Sequence, residues 1–189
     1  FDKAEIKDVL SYLRLLANPN DDPAFLRAVT TPKRGIGDVT LGKLNTYAHE
    51  HECSLYEAAQ TEEALVLLNH TNRQHLQAFM DMIESYRAKA ETSEAGELIH
   101  NLLKEIDYEN HLLANEEGKA GEIKWRNVTD LTGWLERKGE QDGKNIIELA
   151  QTIALMTLLE GKGEEEVDAV KLSTLHASKG LEYPYVFLV

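Results

Sequence analysis

The sequence predicts a mainly α-helical protein, a multi-helix block that gives way near its C-terminal end to two short strands. Apolar residues recur at spacings of three and four from Ile6 to about residue 158, capping and breaking residues punctuate that pattern, and the period shortens to about two only from Val167. Val167 to Leu172 alternates apolar and polar residues, whereas Tyr185 to Val189 is apolar almost throughout, as in a strand buried on both faces. Two short strands are not stable alone, and nothing upstream reads as their partners. The chain also opens on Phe1 rather than methionine and stops inside the second apolar run, so it reads as excised from something larger.

Taken in order, Ile6, Val9, Leu10, Leu13 and Leu16 mark an amphipathic first helix, with Asp2 as N-cap and Asn18-Pro19 as its stop. A shorter helix follows, with Asp22 as cap and Pro23 at its first position. Thr31-Pro32 then breaks the chain into a turn ending in Gly35-Ile36-Gly37, after which Leu41, Leu44, Tyr47 and Ala48 restore the helical period. Further on, Ser54, Thr61, Thr71, Ser93 and Asn145 are expected as caps, and Gly118 to Gly121 and Gly139 to Gly143 as breaks. The longest segments, Asn72 to Lys89, Ser93 to Ile106 and Gly121 to Lys138, carry apolar stripes that should pack on one another. Trp125 and Trp134 fall within helical periods and away from basic residues, which assigns them to the core rather than to base stacking. Gly161-Lys162-Gly163 with the glutamates after it reads as a linker, and Asn18-Pro19 as its counterpart. The helical block thus sits between two pieces of a different body, as an inserted subdomain would.

With 189 residues the chain holds one domain or two small ones. Charged residues at 28% and apolar ones at 42% are ordinary for a globular chain. No apolar stretch approaches the roughly 20 residues that cross a bilayer, no basic-then-apolar leader is present, and the lone Cys53 fits a reducing compartment, so the cytoplasm is expected. A net charge of -13 opposes a general polyanion-binding surface, so any contact with nucleic acid must be local. Glu62-Glu63, Glu116-Glu117 and Glu164-Glu165-Glu166 read as solvated helix ends and loops, whereas Lys33-Arg34 is a basic pair beside the glycine turn.

Gly35-Ile36-Gly37 opening a helix has a definite physical use. Glycines allow close approach to a ligand, and the free N–H groups of a helix's first turn can point at a phosphate oxygen. Lys33 and Arg34 add positive charge, and Thr40 can donate a hydroxyl to the same phosphate or the next; such contacts hold a backbone without reading bases. Ser178-Lys179-Gly180 is not a phosphate loop, because the lysine precedes its glycine, and His176 with Ser178 lacks the third group of a triad. His49 and Cys53 share a helix face, but the remaining histidines show no paired spacing that would complete a zinc site. A polar segment at the end of a strand, Thr174 to Glu182, does suit nucleotide or nucleic-acid contact.

Three separated stretches together resemble the superfamily 1 DNA helicases of the UvrD, PcrA and Rep type, and within that family the Rep branch. FDKAEIKDVLSYLRLLA, Phe1 to Ala17, is similar to the helix ending the first half of motor subdomain 2A. DDPAFLRAVTTPKRGIGDVTLGKL, Asp21 to Leu44, is similar to the opening of the inserted 2B subdomain with its duplex-contact turn. KLSTLHASKGLEYPYVFLV, Lys171 to Val189, resembles motif V and the strand after it, with Tyr183 where the family has phenylalanine. The resemblance implies a helix of 2A over residues 1–17, a helical 2B subdomain over 18–163, and over 164–189 a linker and return to 2A, a two-strand remnant of an α/β motor domain.

It further implies that Gly35, Ile36, Gly37 and Thr40, with Lys33 and Arg34 nearby, meet the backbone of duplex DNA. Thr174, His176, Ser178, Lys179 and Gly180 would lie in motif V, between the single-stranded DNA track and the nucleotide cleft, and Glu182 would meet the ATP ribose. The sequence holds no Walker A lysine, no Asp-Glu box and no arginine finger, so hydrolysis of ATP with Mg2+ would belong to a parent protein working in DNA replication or repair. The competing expectation is a helical protein-interaction module with no nucleic-acid role.

Overall fold

A computed structural model describes residues 1–116 and 118–160 and, among these, shows ten helices and no strand. They are α1 (Ala4–Ala17), α2 (Asp22–Thr30), α3 (Asp38–Glu50), α4 (Leu55–Gln60), α5 (Glu62–Leu65), α6 (His70–Lys89), α7 (Ala95–Glu105), α8 (Tyr108–Ala114), α9 (Ala120–Asp142) and α10 (Ile146–Glu160). The mainly helical expectation holds; the expected strands, the glycine linker at 161–163 and the motif V segment lie outside the described residues.

Several ends differ from the sequence expectation by one or two residues, each for a local reason. Asp21, not Asp22, caps α2, accepting from the Ala24 N–H at 3.0 Å, which leaves the Asp22 carboxylate to receive the Leu55 N–H at 2.9 Å and tether the start of α4. Asn69 caps α6 in place of Thr71, Glu94 stands at the start of α7 in place of Ser93, and Lys3 precedes α1 where Asp2 was expected. Ser54 forms a full capping box with Glu57, and Asn145 with Glu148 exchanges the same reciprocal pair of bonds at the start of α10.

Helix α1 is the hub. It packs against α2, α6, α9 and α10, so its burial extends beyond one stripe to Val9, Tyr12, Leu13, Leu15 and Leu16. Its polar residues are tied across the same contacts. Asp8 accepts from Arg27 Nε and from the Tyr108 hydroxyl, both at 2.7 Å, and Glu5, only 4% exposed, accepts from the Asn127 amide at 2.7 Å. The residues expected to belong to a separate motor subdomain therefore share one continuous core with the rest of the described chain.

Around α1 the longer helices are arranged by their apolar stripes. α7 lies between α6 and α9 and touches both, α8 closes on α9, and α10 returns against α1 and α9. Phe25 of α2 meets Phe79 of α6 and Tyr56 of α4 edge to face, with ring centroids 5.7 and 6.4 Å apart. Trp125 and Trp134 are half-buried against this core, on the side of their helix that faces it.

Candidate nucleic-acid interface

The turn from Thr31 to Gly37 is carried between α2 and α3, downstream of a cis Thr31–Pro32 bond. Ile36, 7% exposed, drives its side chain into the core and so turns the flanking glycines outward; Gly35 and Gly37 are both exposed. Gly35 has φ of +77°, a conformation that residues with a Cβ rarely adopt, and a Cβ placed there would lie 2.5 Å from His75 Nδ1. Gly37 is different. Its backbone is extended, at φ -113° and ψ -177°, and a Cβ there would meet nothing within 4 Å among the described residues. Among the described residues, neither conformation nor packing requires a glycine at 37.

Gly37 is the N-cap of α3 and offers no side chain to the first turn, while its carbonyl accepts the first helical bond from the Leu41 N–H at 3.0 Å. The leading amides of α3 thus point outward beside open space. Lys33 is exposed next to them, and so are Asp38 and Val39, the latter at 75%. The Asp38 carboxylate opposes the positive end of the helix, so local charge at the turn is mixed rather than basic.

Besides Ile36, two more of the expected residues turn their side chains inward. Thr40 is 2% exposed, and its hydroxyl oxygen accepts from the Asn72 amide at 2.7 Å. The half-buried Arg34 donates to the Ala28 carbonyl at 3.0 Å and to the Tyr12 hydroxyl at 2.6 Å, and its guanidinium lies 4.7 Å from the centre of the Phe79 ring. Burial raises the Tyr12 phenol above its ordinary range, with the Arg34 charge pulling the other way. The structure thus brings Lys33, Gly35 and Gly37 together at the surface, with Ile36, Thr40 and Arg34 beneath them.

Asn72 and His75, on the first turns of α6, form one wall of the turn and were not expected from the sequence. They lie more than thirty residues away along the chain, and only the cap expected at Thr71 hinted that a helix begins there. Thr174, His176, Ser178, Lys179, Gly180 and Glu182 lie outside the described residues. At the other weighed cluster, the His51 ring stacks on Tyr47 at 3.9 Å, and among the described residues no three His, Cys, Asp or Glu side chains gather as metal ligands. No described helix is long and apolar enough to cross a membrane.

Over residues 1–189 the sequence matches the family model described as UvrD-like helicase C-terminal domain. The chain belongs to that family. It is 40% identical over 197 residues to the ATP-dependent DNA helicase Rep of Salmonella typhimurium, 34% over 197 residues to the ATP-dependent DNA helicase PcrA of Bacillus subtilis, and 33% over 192 residues to DNA helicase II of Escherichia coli. Each comparison takes in 100% of this chain but only 29%, 26% and 26% of the respective relative, so the chain spans less than a third of their length.

Proposed function

We propose that the chain supplies the regulatory, duplex-contacting 2B subdomain, with flanking pieces of 2A, to an ATP-dependent DNA helicase of the Rep and UvrD type that moves 3′ to 5′ on single strands in the cytoplasm and serves DNA replication or repair. In this reading the amides that follow Gly37, with Lys33 beside them, take a phosphate of the duplex backbone, and Gly35 shapes the turn. Thr40 and Arg34 support that surface from below rather than touching DNA with the groups that are already bonded. Thr174, His176, Ser178, Lys179 and Gly180 serve the coupling of single-stranded DNA to the nucleotide cleft, Glu182 serves the ATP ribose, and ATP with Mg2+ is held by the motor. Of the two expected linkers, Gly161 to Gly163 is the one proposed as the hinge of the subdomain, because Asn18-Pro19 joins α1 and α2 within one core.

One observation carries the duplex contact: Gly37 is a glycine that nothing among the described residues requires, at the start of a helix whose first two residues, Asp38 and Val39, are exposed. Close approach of another backbone is the remaining physical use for the missing Cβ. Replacing Gly37 by Thr in the intact helicase isolates this use, because Gly and Thr are comparable N-caps and the space is open. Thermal stability should change little, duplex affinity should fall by about tenfold as the amides lose a charged partner, and ATPase on single strands should persist. Wild-type unwinding and duplex affinity in that variant would refute the proposed contact.

A further inference from the structure

Arg34 belongs to the basic pair beside the glycine turn, yet its side chain runs inward. One guanidinium joins four parts of the molecule. Nη1 donates to the carbonyl of Ala28 in α2 at 3.0 Å, and Nη2 donates to the hydroxyl of Tyr12 in α1 at 2.6 Å. Its central carbon lies over the ring of Phe79 in α6, 4.7 Å from the centroid, and over the Tyr12 ring, 5.9 Å from that centroid. The Tyr12 hydroxyl in turn reaches the carbonyls of Thr31 at 2.6 Å and Ala28 at 2.9 Å, so α1 holds the chain before the cis bond through these carbonyls and after it through Arg34. A single hydroxyl proton serves one of those carbonyls at a time, while its oxygen receives Arg34.

We propose that Arg34 and Tyr12 are positioning residues for the glycine turn: they lock residues 31–37 onto α1 and α6 and so hold Gly35 and the leading amides of α3 in their outward arrangement. The consequence for DNA rests on the duplex-contact reading above; the lock itself does not. Lys33 and Arg34, adjacent in sequence, then have opposite roles, one a charge offered to phosphate and the other a strut. A planar, forked, always-charged group is needed here. A lysine keeps the charge but cannot bond two oxygens in fixed directions while stacking on a ring.

The test compares Arg34→Lys, Arg34→Gln, Tyr12→Phe, Lys33→Gln and Gly37→Thr in the intact helicase, with thermal unfolding confirming that each remains folded. Two readouts are taken: amide hydrogen exchange of the peptide covering residues 31–45, and duplex affinity as a function of salt. For a strut, Arg34→Lys and Arg34→Gln both speed exchange in that peptide and weaken duplex binding by about tenfold, with Tyr12→Phe intermediate because it keeps the ring and loses the hydroxyl. Their salt slopes stay at the wild-type value, whereas Lys33→Gln lowers the slope by about one, the signature of a lost phosphate contact. Exchange unchanged in Arg34→Lys overturns the lock. So does wild-type affinity in Arg34→Lys together with a slope lowered by about one in Arg34→Gln, because a phosphate ligand behaves that way. Should Gly37→Thr bind duplex normally, the duplex reading falls alone, and the exchange result still decides the lock.

Discussion

Asp38 stands exposed in the first turn of α3, where its carboxylate competes with any incoming phosphate for the positive end of the helix. In the proposed duplex contact the same first turn would carry both the attraction and its brake. Replacing Asp38 by Asn in the intact helicase should therefore raise duplex affinity at low salt by about two- to fivefold, the equivalent of the ordinary helix-terminus charge effect. Titration of a fluorescent duplex against wild type and variant measures it, and a weaker or equal affinity would place the DNA path away from α3. At this scale the sequence was informative about glycines and poor about charges. Gly35, Gly37 and Lys33 could be picked out beforehand because backbone freedom and a cation next to it are local properties. That Arg34 turns inward could not, since its partners Tyr12, Ala28 and Phe79 lie on three other segments.

Among the elements, the junction of α8 and α9 is where a described glycine has main-chain atoms closest to its missing Cβ. A Cβ added at Gly121 would sit 2.8 Å from the Leu112 carbonyl oxygen and 3.0 Å from the Leu113 Cα, both main-chain atoms that cannot swing aside. Gly121→Ala is expected to destabilise the protein by about 1–2 kcal/mol, since overpacking against backbone outweighs alanine's better helix propensity. Denaturant unfolding of the two proteins reads this directly; an equal or higher midpoint for the alanine variant would show that α8 yields freely. The sequence marked Gly118 to Gly121 as a break, which is right for Gly118, at φ of +63°, but Gly121 lies inside α9 and serves packing. A glycine's spacing does not distinguish those uses. Capping chemistry was legible at Ser54 and Asn145, where a glutamate three residues on completes the reciprocal pair of bonds, and misplaced by one residue at α2, where Asp21 caps and Asp22 reaches α4.

For the whole molecule, α1 is held by buried polar groups as well as by apolar contact. Tyr108, buried against α1, donates to Asp8, and burial together with that carboxylate lifts its phenol far above the usual 10.0; burial lifts Tyr12 in the same direction. A phenol kept neutral by the fold contributes stability that is complete below its unfolded value and drains away as pH rises toward the folded one. Stability should therefore decline above about pH 10. Tyr108→Phe should be less stable than wild type at pH 8, and the gap should narrow as pH rises past 10 because the variant has one fewer proton to lose. Denaturant melts at pH 8, 9, 10 and 11 test this, and a constant gap would mean that Tyr108 ionises alike in both states.

The sequence by itself determined that the described residues are helical, where several of the helices begin to within one or two residues, and that a glycine turn opens α3. Each of these follows from rules acting within about four residues: the three-four apolar period, the cap, the positive φ. Only the tertiary structure decided that α1 is the hub of one core, that Lys33 faces solvent while Arg34 faces Tyr12 and Phe79, and that α6 walls the turn with Asn72 and His75. Those outcomes depend on close packing between segments tens of residues apart, which local periodicity does not encode.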